Sequence, residues 1–165
     1  MRAHAVAITG VLTACALAVN LAEGMLPMPL PGLKLGAANV FSLAALIMLG
    51  TREAFITAIL RVVLAWLITG NVFALACGLC GAIPATAVMA IMVKRAKVRP
   101  AIASVAGACA FNIGQVAVVS YMVKDARAAL YVLPLFAIGT VAGWVVGRLA
   151  EEVCRRLSGT VVKKD

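Results

Sequence analysis

Acidic side chains are scarce in this sequence of 165 residues, which has six of them against 15 lysines and arginines. The two aspartates, Asp125 and Asp165, stand far apart, so there is no aspartate-rich motif of the kind that holds magnesium. The single histidine is His4. These absences argue against a metal-dependent catalytic centre, and we expect no metal and no cofactor.

Cysteine chemistry is equally thinly supported. Cys77 and Cys80 form a C-x-x-C pair, but the chain has no second pair and no histidine near them. A zinc or iron–sulfur site needs more ligands than this. Packing as small apolar side chains is therefore the favoured role for the two cysteines, with redox or metal use as the alternative.

Two further absences narrow the function. Aromatic residues make up only 5% of the chain, and none is interleaved with a basic patch, so the net charge of +9 does not indicate nucleic-acid binding. The G-x-x-x-x-G-K-[ST] phosphate loop is also missing. ATP hydrolysis, if it drives this protein, must come from another subunit.

Apolar residues dominate what is present. They form 64% of the chain, and the mean hydropathy is +1.08. Soluble domains average roughly 45–50% apolar residues, and a bilayer-spanning helix needs about 20 of them. The sequence therefore predicts an all-α integral membrane protein, a bundle of six transmembrane helices with no room for a soluble catalytic domain. The predicted spans are residues 3–22, 35–49, 53–69, 72–93, 101–123 and 130–149.

The first apolar run, the proline-rich loop and the end of the chain each lead to a further expectation. The first apolar run resembles a signal peptide, with Ala16-Leu17-Ala18 as a cleavage site, but a retained helix fits a chain that is apolar throughout. The proline-rich segment 24–34 is apolar yet not helical, so we expect it to cap the outer mouth of the bundle. We predict one domain over residues 1–157 and a disordered tail over 158–165.

Orientation follows from the basic residues. If both termini are cytoplasmic, eleven lysines and arginines fall on the inner side and three on the outer side, in agreement with the positive-inside rule. Arg61 lies deep within a span and is counted on neither side. The inner set is Arg2, Arg52, Lys94, Arg95, Lys97, Arg99, Arg148, Arg155, Arg156, Lys163 and Lys164, and the outer set is Lys34, Lys124 and Arg127.

Arg61 is the leading candidate for a functional residue. It lies about ten residues, or roughly 15 Å, along a helix that begins near Thr51. A cation at that depth costs at least roughly 2.5 kcal/mol, so it normally faces an interior and has a partner. Glu23 is the one acidic residue placed to face the same cavity. Arg61 can pair with Glu23, or with carbonyls at a helix end, to lock the bundle, or it can contact an anionic or strongly polar ligand.

Three amides inside apolar runs raise the same question. Asn39 lies in the second predicted span, and Asn112 and Gln115 are three residues apart in the fifth, on one helix face. Amides buried in lipid need partners. They either hold helices together or converge with Glu23 and Arg61 on one polar ligand pocket.

Small residues recur at the spacing of helix–helix contacts. Gly139, Gly143 and Gly147 share one face of the sixth helix, and a matching alanine stripe lies on the first helix. Packing inside the bundle is one interpretation, and docking to a second membrane subunit is the other. The alanine stripe, which is the better candidate for docking, consists of Ala14, Ala18 and Ala22.

Several motifs in order resemble the Gx transporter family, which is also called heptaprenyl diphosphate synthase component I. The resemblance covers roughly residues 8–150. Phe111 departs from it, because family members commonly carry histidine there, and this speaks against a role that needs an ionisable group. The residues that carry the resemblance are Glu23, Pro27, Pro29, Pro31-Gly32, Lys34-Leu35-Gly36, Asn39, Gly50, Glu53-Ala54, Arg61, Gly70, Gly78, Gly81, Met89, Gly107-Ala108, Asn112-Ile113-Gly114-Gln115, Leu133-Pro134 and Gly143.

That family is similar to the substrate-binding S components of energy-coupling factor (ECF) transporters. The resemblance implies a six-helix bundle in a bacterial inner membrane, a ligand pocket that opens outward, and a first helix that docks to a coupling subunit with its ATPases. It thus implies a small-molecule substrate. Two other functions stay open: a non-catalytic membrane component of heptaprenyl diphosphate synthesis, and a purely structural membrane subunit.

Overall fold

The computed structural model describes residues 2–25, 36–124 and 132–161, and this part of the chain is all-α. Its six helices confirm the predicted number. Most of the proline-rich segment 24–34, the basic residues Lys34 and Arg127, and residues 162–165 of the predicted tail lie outside the described residues. The helices are α1 (Arg2–Gly24), α2 (Asn39–Met48), α3 (Thr51–Thr69), α4 (Val72–Lys94), α5 (Pro100–Val123) and α6 (Val132–Val161).

Helix α2 is shorter than predicted and lies at the centre of the bundle. It begins at Asn39 rather than at Leu35 and has 10 residues, which at 1.5 Å per residue is about 15 Å, half the thickness of a bilayer core. It contacts each of the other five helices. A helix that is apolar on all sides belongs in a core, and Leu43 and Leu46 are completely buried.

Three helices are long and apolar enough to cross a membrane: α1, α4 and α5. They indicate a membrane protein. The remaining described helices fall short of that test in length or composition, so six complete spans are not established by these helices alone.

Glycines with positive φ set the turns around α3. Gly50 (φ 129°) precedes the helix and Gly70 (φ 67°) ends it, both in a region that glycine enters without a Cβ penalty. Thr51 is the first helical residue of α3, and Gly50 occupies the cap position without a side-chain hydrogen bond. Asn71 caps α4 by accepting a hydrogen bond from the amide of Ala74, at 2.9 Å.

Close backbone contacts hold α4, α5 and α6 together. A Cβ on Gly114 of α5 would lie 1.9 Å from the carbonyl oxygen of Cys80 on α4. On α6, a Cβ on Gly147 would lie 2.4 Å from the Cα of Ala101. Because glycine has no side chain, the helix backbones can approach each other this closely. The glycine stripe of α6 therefore packs inside the bundle, against α5.

The carboxyl-terminal part of α6 is a polar helix. Glu152 accepts hydrogen bonds from Arg155 at 2.6 Å and from Arg156 at 2.7 Å, pairs that suit helical spacing. The Arg148 guanidinium lies over the Trp144 ring, 5.8 Å from its centroid. The helix continues to Val161, so it extends past residue 158, where the disordered tail was predicted to begin.

Candidate functional site

A buried polar contact joins α3 to the start of α2. Arg61 on α3 is 1% exposed, and its Nη2 donates a hydrogen bond to the Oδ1 of Asn39, at 2.5 Å. Asn39 is the first residue of α2 and is itself 4% exposed. The predicted buried cation therefore has an amide partner on a neighbouring helix.

Glu23 lies at the same end of α2. It comes from the last turn of α1, is 5% exposed, and its Oε1 accepts a hydrogen bond from the amide of Ala37, at 2.7 Å. Ala37 belongs to the turn that leads into α2, so the carboxylate lies near the positive end of that helix dipole. The other carboxylate oxygen, Oε2, is buried and has no hydrogen-bond partner in the part of the chain that the structure describes.

Glu23 and Arg61 interact electrostatically without forming a direct ion pair. Glu23 exerts a Coulombic effect on the guanidinium, but no nitrogen–oxygen contact within 4.0 Å joins them among the ion pairs of the described residues. The Arg61 Nε, like the Glu23 Oε2, is buried without a hydrogen-bond partner. The sequence left open a direct ion pair between Arg61 and Glu23 that would hold the bundle together. The structure does not have this pair among the described residues.

Buried polar side chains accompany each member of this group one helical turn away. Asn20 precedes Glu23 by three residues, Thr57 precedes Arg61 by four, and Ser42 follows Asn39 by three. All three are at most 4% exposed, and the hydroxyls of Ser42 and Thr57 have no hydrogen-bond partner. These three residues were not predicted from the sequence, although polar residues at helical spacing within apolar runs are a usable signal.

The two amides of α5 lie inside the bundle. Asn112 and Gln115 are buried, at 2% and 0% exposure, and neither lacks an interaction partner. A Cβ on Gly139 of α6 would lie 2.3 Å from the Asn112 Nδ2, so this amide packs against α6. The structure thus brings Glu23, Asn39 and Arg61 together and places Asn112 at a helix–helix contact.

Phe111 is the residue that α5 presents to the start of α2. A Cβ on Gly36 would lie 3.4 Å from the Phe111 ring, and one on Gly81 of α4 would lie 2.9 Å from it. Gly36 is in the turn directly before α2. An aromatic ring therefore borders the polar group, and it offers an apolar surface only.

The alanine stripe of α1 faces away from the bundle. Ala14, Ala18 and Ala22 are all exposed in the described structure, and so is Val11, at 63%. Gly10, one turn earlier, has no atom within 4 Å of its Cβ position. This face is available for contact with lipid or another protein.

The two cysteines of the C-x-x-C pair differ in environment. Cys77 is buried and Cys80 is exposed. Within the described ranges, no three histidine, cysteine, aspartate or glutamate side chains are grouped so that they could hold a metal ion.

Comparison with known families agrees with the motifs. The model of the family described as heptaprenyl diphosphate synthase component I matches residues 12–153, a range that runs from α1 into α6 and includes Glu23, Asn39 and Arg61. The resemblance to this family that the motifs indicated is confirmed. Neither the curated proteins nor the solved structures compared with the chain gave a match.

Proposed function

This chain belongs to the heptaprenyl diphosphate synthase component I family, and we propose that it is a membrane subunit that binds a small polar or anionic molecule. The observation that carries the proposal is the buried group at the start of α2, where Arg61 meets Asn39 beside Glu23. A cation this deep in an apolar bundle is expensive to place, which favours a functional reason for it.

The unpartnered atoms of this group favour binding over a purely structural role. A lock between helices would satisfy both charges, because a buried charge without a hydrogen bond is costly. Here the Glu23 Oε2 and the Arg61 Nε are buried and unsatisfied. A site can recognise a ligand through two charged groups that still have unused hydrogen-bonding capacity.

Uptake of that molecule into a bacterial cell is the proposed role, in the manner of an ECF S component. Six spans with both termini cytoplasmic, in the inner membrane, agree with the distribution of basic residues. The chain has no phosphate loop, so separate ATPase and coupling subunits would supply the energy. The outward alanine stripe of α1 is the proposed contact with the coupling subunit.

A second candidate function follows from the family description. The chain would be a non-catalytic membrane component associated with heptaprenyl diphosphate synthesis, and Arg61 would suit a diphosphate group. Catalysis itself is not expected, because the chain has only two aspartates and no aspartate-rich motif to hold magnesium.

Ligand-induced thermal stabilisation of the purified chain tests the first function. At least one small polar compound should raise the melting temperature of the wild type. Arg61→Lys should weaken this effect, while Glu151→Gln, at a half-buried position on the polar part of α6, should not. Absence of stabilisation by any compound would count against binding. Prenyl chain elongation by the purified chain with magnesium, isopentenyl diphosphate and farnesyl diphosphate would instead establish catalysis.

A further inference from the structure

We infer that the ligand of this site offers both a hydrogen-bond donor and an acceptor, as a zwitterion or a neutral amide-like or ureido compound does, and is not a polyanion such as a diphosphate. This inference rests on the proposed binding function and specifies its ligand class. It is carried by the opposite bonding needs of two neighbouring buried side chains, Glu23 and Arg61.

Glu23 requires a donor. Its Oε1 already accepts from the amide of Ala37, while Oε2 is buried and has no partner. An ionised carboxylate accepts hydrogen bonds and donates none. A ligand that reaches Oε2 therefore has to present an N–H or O–H group, and a positive charge on that group strengthens the bond.

Arg61 requires an acceptor. Its Nη2 donates to Asn39, while its Nε is buried and has no partner. A guanidinium has five N–H donors and no acceptor. A carbonyl, carboxylate or similar oxygen is the group that satisfies the Nε.

Glu23 and Arg61 act on each other without direct contact. Glu23 influences Arg61 electrostatically, yet the pair is not among the direct contacts within 4.0 Å. Polar groups at such a separation are commonly bridged by a third group. A bridge that donates to Glu23 and accepts from Arg61 satisfies both.

The same pair disfavours ligands with a single kind of charge. A diphosphate would bring several negative charges next to the Glu23 carboxylate, and like charges repel strongly in a low-dielectric interior. A simple amine would bring a positive charge next to Arg61 in the same way. The site therefore selects for donor and acceptor groups in one molecule.

Three sets of probes test this inference on the full-length wild type. The first contains anions that lack a donor, with inorganic diphosphate and farnesyl diphosphate among them. The second contains simple amines without an acceptor, and the third contains free amino acids, ureido compounds and pyrimidines. Thermal stabilisation should be confined to the third set.

Glu23→Gln supplies the matched variant, because a glutamine Oε1 can still accept from the amide of Ala37. It should weaken binding of the third-set probes about tenfold or more, and it should tighten binding of inorganic diphosphate, since a repulsive charge is removed. Glu151→Gln, which removes a half-buried carboxylate on the polar part of α6, should change neither affinity. If Glu23→Gln does not fold, Glu23→Asp is the alternative variant. It keeps the negative charge but moves the carboxylate away from the site, because the side chain is one methylene shorter, and it should weaken binding of the third-set probes alone.

Two outcomes separate the failure of this inference from the failure of the proposed function. If donor-free anions stabilise the wild type, Arg61→Lys abolishes this, and Glu23→Gln leaves it unchanged, the chain binds ligands but the inferred class is wrong. If no probe of any set stabilises the wild type, both the inference and the binding function are contradicted.

Discussion

Arg61 and Asn39 are 22 residues apart in the chain and in direct contact in the fold, with the guanidinium donating to the amide oxygen inside the bundle. The contact fixes a cation of α3 at the amino-terminal end of α2, where Glu23 of α1 also lies. Three helices thus contribute one polar side chain each to a single buried position.

The Arg61–Asn39 hydrogen bond should appear as an energetic coupling between the two positions. In a double-mutant cycle with Arg61→Met and Asn39→Ala, the two changes should be non-additive by roughly 1.5–3 kcal/mol, the usual contribution of a hydrogen bond to a charged group. The measurement is the free energy of unfolding in mixed detergent for both single variants and the double variant. Additive effects would show that the contact contributes no stability.

Glycine at position 114 should be essential for the contact between α4 and α5. Gly114→Ala would place a methyl group 1.9 Å from the Cys80 carbonyl oxygen, and it should cost about 1–3 kcal/mol or more through forced separation of the helices. Gly10→Ala on α1 is the matched control, because nothing lies within 4 Å of its Cβ position. The control should be neutral or slightly stabilising in the same melting assay, and an equal loss at both positions would contradict the described packing.

A substitution in the alanine stripe of α1 should weaken docking to the coupling subunit without lowering the stability of the chain. Ala18→Leu adds bulk on the exposed face of α1, so the melting temperature of the isolated chain should not fall. Co-purification with a co-expressed coupling subunit should be reduced at least several-fold, because small residues permit the close approach of helices. Ala117→Leu, on the exposed face of α5, is the matched control and should retain the partner. Retention by both variants would remove α1 as the docking face.

The orientation of the chain can be tested with reporters. Alkaline phosphatase fused after the last residue should be inactive, and a fluorescent protein fused at the same place should be bright, because both termini are expected in the cytoplasm. A phosphatase inserted after Lys124 should be active, as this position is assigned to the outer side. The opposite pattern at the two positions would overturn the charge-based orientation.

The helices were largely predictable because glycines and basic residues mark where most of them begin and end. Gly50, Gly70 and the basic residues between α4 and α5 interrupt long apolar runs, and the observed bounds of α3, α4 and α5 agree with the expected ones within two residues. The length of α2 was not predictable in this way. Leu35 to Ala38 are as apolar as the helix that follows, and hydropathy does not distinguish a span from a short central helix.

The site was predictable in part for a physical reason. Charged side chains in apolar runs have to be buried in protein, so Arg61 and Glu23 were identifiable from sequence. For Asn112 the sequence left two roles open, a contact between helices or a place in the same group, and its packing against Gly139 of α6, 27 positions away, was not predictable. Tertiary packing decides which helix an amide contacts, and a single sequence does not allow that contact to be predicted.

The central claim is that Arg61 binds the ligand, and a titration of the folded variants tests it most directly. The compound that most stabilises the wild type should be titrated into the wild type, Arg61→Lys and Glu151→Gln, with the dissociation constant measured calorimetrically in the same detergent. We expect the constant to rise about tenfold or more in Arg61→Lys and to stay unchanged in Glu151→Gln. Equal affinity in all three proteins would contradict the claim.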